Sequence, residues 1–376
     1  MNRSIRWLLA VMLTGIAVIL PQIIAHGQQC RDITDIDWSP IGAEIAVACA
    51  DGTLEMRDAD TLQVLQSVRI GTYLLDIEWS PDGTQIGAAS YTPAKEAVIA
   101  IYTPDTGEVV HLIPPRAPRK SVGLTPTQGF AVTWSPDAYY LAASISIGEP
   151  PDLFQRIYIF DVPNRQIVHE FDLGRTPANT VRWSPDGTML AAGMNAKGET
   201  IVWETASYQE RFRLVSSSYD PEIYTSDQVW DVSWNFDGRY LIAIGSVADI
   251  WDMLEPQLIA TYHFKEYLGM VKWAPLGNRI AATVHSRDDS TVQVVVLHSF
   301  NGDILERYVQ PFTTHPIYAL AWSPDGRRIA TATEDGQIQI VDSTSAPTPI
   351  PTPTATSTFT PTATFTPTPT ATPTFT

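Results

Sequence analysis

One pattern of hydrophobic and polar positions returns seven times along the chain. Each copy ends a short alternating run on a tryptophan: Trp38, Trp79, Trp134, Trp183, Trp234, Trp273 and Trp322. Two positions earlier stands an aliphatic residue (Ile36, Ile77, Val132, Val181, Val232, Val271, Leu320). Between the two lies a mostly polar one (Asp37, Glu78, Thr133, Arg182, Ser233, Lys272). Period two with one apolar face predicts a β-strand. A turn follows, cleanest as Ser-Pro-Asp-Gly at 80–83, 184–187 and 323–326. Proline presets φ at the second turn position and glycine supplies the left-handed residue, so this segment predicts a tight hairpin. The other copies depart from it. Phe236 replaces proline in the fifth, and Leu276 and Ile41 replace aspartate in the sixth and first.

Seven residues past every tryptophan is an aliphatic side chain: Ile45, Ile86, Leu141, Leu190, Leu241, Ile280 and Ile329. The next residue is small (Ala46, Gly87, Ala142, Ala191, Ala281, Ala330), with Ile242 the exception. Small residues on a second strand predict close packing between neighbouring sheets. A third strand ends near an acid, as in Phe160-Asp161, Trp203-Glu204, Trp251-Asp252 and Val341-Asp342. A fourth apolar run follows, such as Leu62–Val68 or Gln166–Phe171. Four short strands in a unit recurring every 39 to 55 residues predict an all-β fold, a seven-bladed β-propeller of four-stranded antiparallel blades. A β-sandwich would not repeat a turn motif in register.

These copies resemble WD40 repeats, above all the kind with Trp-Ser-Pro-Asp-Gly between the first two strands. The resemblance spans residues 31–342, is closest at 318–342, and includes the Trp251-Asp252 dipeptide. The Gly-His that the family carries before its first strand is missing, with only His315 near that position. The family's buried His–Ser–Asp–Trp network is therefore incomplete, and blades held mainly by apolar packing are expected. The resemblance implies a protein that binds partners rather than one that catalyses a reaction.

Composition narrows the picture. The net charge of −17 repels phosphate backbones and anionic membrane surfaces, so nucleic-acid binding is not expected. Residues 1–6 carry two positive charges, and residues 7–20 are apolar and uncharged. Pro21 and the small residues at Ala25 and Gly27 complete a secretory signal pattern, with 1–27 the signal peptide. An uncleaved anchor stays open as the alternative. The expected location is extracytoplasmic: secreted, periplasmic or on a bacterial cell surface. In an oxidising compartment Cys30 and Cys49 are candidates to pair, with one buried and one exposed thiol the alternative. Residues 28–343 form the propeller, expected to be monomeric with no membrane span in the mature chain. Residues 344–376, rich in threonine and proline and uncharged, predict a disordered extended tail.

The insertions share an address. Tyr91–Ala97, Ser146–Gln155 and His285–Ser290 lie between second and third strands; Pro114–Gln128 and Ser216–Gln228 lie between blades. Both connection types emerge on one face of an antiparallel propeller, opposite the tryptophan turns. Loops on a rigid scaffold are where binding residues concentrate. Arg116, Arg119, Lys120, Tyr219 and Tyr224 are therefore the candidate partner-binding residues. Ring closure is open, because the fourth strand of blade seven could come from about Gln22–Gln28 or from Ala346–Pro353. Blade seven is expected to be the least stable.

No nucleophile elbow, phosphate loop, zinc-helix signature or Cys-x-x-Cys occurs. His285 with Asp288 and Asp289 is the nearest approach to a metal cluster and reads as a solvated loop. No catalytic residue, metal or cofactor is expected. The sequence thus points to a non-catalytic, exported scaffold for protein or glycan partners. Two alternatives remain: a propeller hydrolase or lyase with residues at the channel mouth, and a periplasmic accessory protein of the TolB-like kind.

Overall fold

The computed structural model describes residues 30–91, 97–112, 131–147, 154–220, 227–264, 267–285, 292–309, 317–333 and 335–343. The expected signal peptide, the tail and both candidate closing strands lie outside them. The fold is an all-β propeller of seven antiparallel blades. Every inner strand ends on its anchor tryptophan: Ile33–Trp38, Leu74–Trp79, Ala131–Trp134, Ala178–Trp183, Asp231–Trp234, Tyr267–Trp273 and Ile317–Trp322. Six blades show four strands among the described residues. Blade seven shows three, ending with Ile338–Asp342.

The turn after each tryptophan is built by its own side chains. Ser80 Oγ donates to Asp82 Oδ1 (2.6 Å) and accepts the Gln85 N–H (2.9 Å). The same pattern recurs at Ser184 and Ser323, and Asn235 serves in blade five. Glycine takes the left-handed position, at φ 71° in Gly83 and 67° in Gly326. Blade three places Ala138 there at φ 58°. The acids closing the third strands cap the next turn. Asp58 Oδ1 accepts the Thr61 N–H, and Asp161 Oδ1 the Asn164 N–H.

The core lies between blades. The residue seven past each tryptophan faces the preceding blade; the small residue after it faces the following one. Ile45 and Val47 cluster with Ala319, Ala321, Ala330 and Ala332 of blade seven, whereas Ala46 and Ala48 cluster with Ile77, Trp79 and Ile86 of blade two. A Cβ added at Gly87 would lie 2.8 Å from Leu141 Cδ1 and 3.1 Å from Trp134 Nε1, which shows how closely the next blade approaches.

Two insertions are shorter than the sequence implied. Ser146 and Gln155 are paired strand residues, as are Tyr91 and Ala97, so the hairpins continue further before the chain leaves the sheet. A disulfide joins Cys30 to Cys49, with Cα atoms 5.6 Å apart; it ties the segment before the first inner strand to the end of the second strand. Among the described residues no helix is long and apolar enough to cross a membrane.

Candidate functional site

The inner strands bring their polar residues to the central channel. In an edge strand the outward N–H groups have no ladder partner, and a buried N–H without an acceptor is costly. Here side chains one and three positions before several of the tryptophans supply acceptors to the following blade. Asp35 Oδ2 accepts the Ile77 N–H (2.9 Å) and Asp37 Oδ2 the Trp79 N–H (2.7 Å). Asp76 Oδ2 accepts the Val132 N–H (2.6 Å), and Glu78 Oε1 accepts the Trp134 N–H (3.3 Å). The handover continues from Thr133 Oγ1 to Trp183 N, from Asp231 Oδ2 to Val271 N and from Ser233 Oγ to Trp273 N. Trp134, Trp234 and Trp322 return the contact, each indole N–H donating to a backbone carbonyl of the preceding blade at 3.0–3.1 Å. Apolar packing is thus joined by a ring of polar clasps that the sequence reading did not foresee. The signal was present as the acids and hydroxyls at these two offsets.

At the end of the channel carrying the anchor turns, these groups line a cavity of about 350 Å³. Asp35, Asp37 and Glu78 stand on one side, with Arg182, Ser233 and Lys272 on blades four to six. Burial pushes the Asp37 carboxyl up to about 6 against the Trp79 and Trp38 N–H groups and the Lys272 charge. Burial likewise pushes Glu78 up to about 7, opposed by Arg182 and reinforced by Asp37 and Asp76. Burial and the neighbouring Asp76 raise Asp35 well above the usual carboxylate range. Arg182, although buried, keeps its proton more firmly because Asp76, Asp231 and Glu78 surround it. Carboxylates therefore converge at one channel mouth, without histidine. Among the described residues no group of three or more His, Cys, Asp or Glu is placed to hold a metal.

The connections between second and third strands and between blades leave the sheets at the opposite face, as the strand directions require. Arg116, Arg119, Lys120 and Tyr224 lie outside the described residues. Tyr219 is partly buried and donates its N–H to Ser216 O (3.1 Å). Its loop is fixed by a polar network. Asp249, 2% exposed, accepts from Ser217 Oγ (2.7 Å) and Thr261 Oγ1 (2.7 Å), and Asp227, 3% exposed, from Ser218 Oγ (2.6 Å) and Ser246 Oγ (2.8 Å). Close in sequence, at the start of the blade-five inner strand, Trp230 is 47% exposed. Sequence reasoning passed over Trp230 because it sits four residues before an anchor tryptophan and outside the repeat pattern.

Comparison with known families agrees with the fold. The family described as WD domain, G-beta repeat matches residues 306–342. The WD40 domain of anaphase-promoting complex subunit 4 matches 21–82, and the eukaryotic translation initiation factor eIF2A family matches 105–248. Protein HIR1 of Candida albicans is 27% identical over 194 residues, covering 45% of this chain and 20% of its own length. WD repeat-containing protein WRAP73 of Mus musculus is 23% identical, covering 57% of this chain and 52% of its own. Actin-interacting protein 1 of Drosophila melanogaster is 23% identical, covering 50% and 30%. The chain thus spans from a fifth to about half the length of these relatives. The chain is a seven-bladed β-propeller that is similar over parts of its length to WD40-repeat proteins.

Proposed function

We propose that this chain is an exported, non-catalytic scaffold that binds protein partners through the face carrying its insertions. The observation that supports this most directly is Trp230, 47% exposed and three residues after Asp227, which holds Ser218 of the braced 216–220 loop. Exposed tryptophans on rigid supports are favoured as interaction hot spots. In this reading Arg116, Arg119, Lys120, Tyr219 and Tyr224 complete the surface, and a glycan is the other ligand class it would accept. The signal pattern of residues 1–27 supports an extracytoplasmic location, and a TolB-like accessory role in an envelope is compatible with it. One relative, actin-interacting protein 1, is itself named for an interaction.

Affinity capture from a native envelope extract tests the reading, with the full chain as bait beside an Arg116→Glu, Arg119→Glu, Lys120→Glu bait and a Trp230→Ala bait. Loss of a captured protein in the altered baits is expected. Equal capture by all three would move the site off this face.

A second reading, a hydrolase or lyase, is favoured by Asp37 and Glu78, partly buried carboxylates raised towards neutrality at one cavity. Against it, oxygens of both already accept backbone N–H groups of the next blade.

A further inference from the structure

The anchor-turn face also has the character of a docking site, and the departures from the turn motif create it. Ile41, Leu276 and Phe236 replace the aspartate or proline of the motif, and they are 75%, 51% and 40% exposed. Pro40 and Pro275, chain neighbours of Ile41 and Leu276, line the cavity mouth, as does Trp234, two residues before Phe236. Inside, carboxylates outnumber cations. Asp35 and Asp37 of blade one and Glu78 of blade two line it with Arg182 of blade four and Lys272 of blade six, while Asp76 and Asp231 add negative charge close to Arg182 outside the lining.

We infer that this mouth takes a lysine or arginine side chain presented by a protein segment with apolar flanks. The cation answers the carboxylate excess, and the flanks cover Ile41, Phe236 and Leu276. A metal ion or small amine would supply only the first of these. Burial raises Asp37 and Glu78, with Asp37 and Asp76 adding to the rise at Glu78, and an inserted cation would offset that cost. This site is additional to the insertion-bearing face and does not depend on it.

The test titrates the full chain with an acetylated, amidated Leu-Gly-Arg-Gly-Leu peptide, read by intrinsic tryptophan fluorescence and calorimetry. Saturable binding is expected. Replacing arginine by the neutral isostere citrulline should weaken it at least about tenfold, equivalent to about 1.4 kcal/mol. Glu78→Gln, which keeps an acceptor for the Trp134 N–H, should weaken it similarly. Lys272→Met should tighten it by removing a like charge, a gain that mere structural damage would not give. Affinity should fall from pH 8 to pH 5 as Asp37 and Glu78 gain protons. Equal binding of the citrulline peptide, no effect of Glu78→Gln, or no saturation would overturn the inference. The Arg116, Arg119, Lys120 variant should bind this peptide as the unaltered chain does. Its failure in partner capture with peptide binding intact would therefore concern the other face alone.

Discussion

The Arg328 guanidinium lies over the Trp38 ring, 4.8 Å from its centroid, and so joins the last blade to the first. Arg279 does the same over Trp322, at 5.1 Å, between blades six and seven. Both arginines stand six residues past an anchor tryptophan. At these two junctions the inner strand offers Lys272, Ala319 and Ala321, none of which can accept an N–H through its side chain. Cation–π contacts thus appear where the carboxylate clasps are missing.

Arg279 is 1% exposed and donates to Gly326 O (2.6 Å) and Ser343 Oγ (2.7 Å), whereas Arg328 also pairs with the exposed Asp60. Arg279→Ala should cost about 3 kcal/mol by leaving buried acceptors unpaired. Arg328→Ala should cost about 1–2 kcal/mol through lost ring contact and stem packing. Asp60→Ala should cost under about 0.5 kcal/mol, since that pair is exposed. Chemical denaturation of the three variants checks the order.

Asp37 accepts N–H groups from both Trp38 (2.9 Å) and Trp79 (2.7 Å). Asp37→Ala should destabilise by about 2–3 kcal/mol, because buried donors lose their acceptor. Asp37→Asn should recover most of that. Thermal unfolding of the two variants separates hydrogen bonding from charge.

Ala138 occupies the left-handed turn position that glycine fills elsewhere, at φ 58°. Ala138→Gly should stabilise by roughly 0.5–1 kcal/mol. Gly336, at φ 84°, is the opposite case: an added Cβ would lie 2.6 Å from Cys30 O and 2.7 Å from Arg31 O. Gly336→Ala should cost at least about 2 kcal/mol by forcing blade seven from the segment before blade one. Unfolding midpoints decide both.

Stability should fall as pH rises through neutrality. The folded protein keeps protons on Asp37 and Glu78 to about 6 and 7, while the unfolded chain releases them near the ordinary carboxylate range. Between about pH 4 and 7 the folded state therefore binds more protons, and each step upward favours unfolding. Unfolding temperatures should be higher at pH 5 than at pH 8, and Glu78→Gln should flatten that difference.

The blades were legible in the sequence because each element carries a local signal: alternation into a tryptophan, a turn with fixed chemistry, an aliphatic–small pair seven residues on. Gly87 shows the pair's purpose directly. The clasps were harder to read because they depend on register between blades. Asp37 meets Trp79 only after two sheets have packed, and nothing local distinguishes it from a solvated strand residue. The stacking role of Arg279 and Arg328 was hidden for the same reason. Insertion ends were misplaced by one or two residues at Ser146 and Gln155, where polar side chains continue a strand. The candidate site was read from loop placement alone, which points to a face but not to Trp230.

Amide hydrogen exchange of the full chain, with and without a captured protein, decides whether the propeller binds a partner through one of its two faces. New protection is expected at residues 113–130 and 216–230, or around Ile41, Phe236 and Leu276 if the partner uses the channel mouth. Protection confined to the outer strands, such as Val64–Arg69 and Glu210–Val215, would contradict binding through either face.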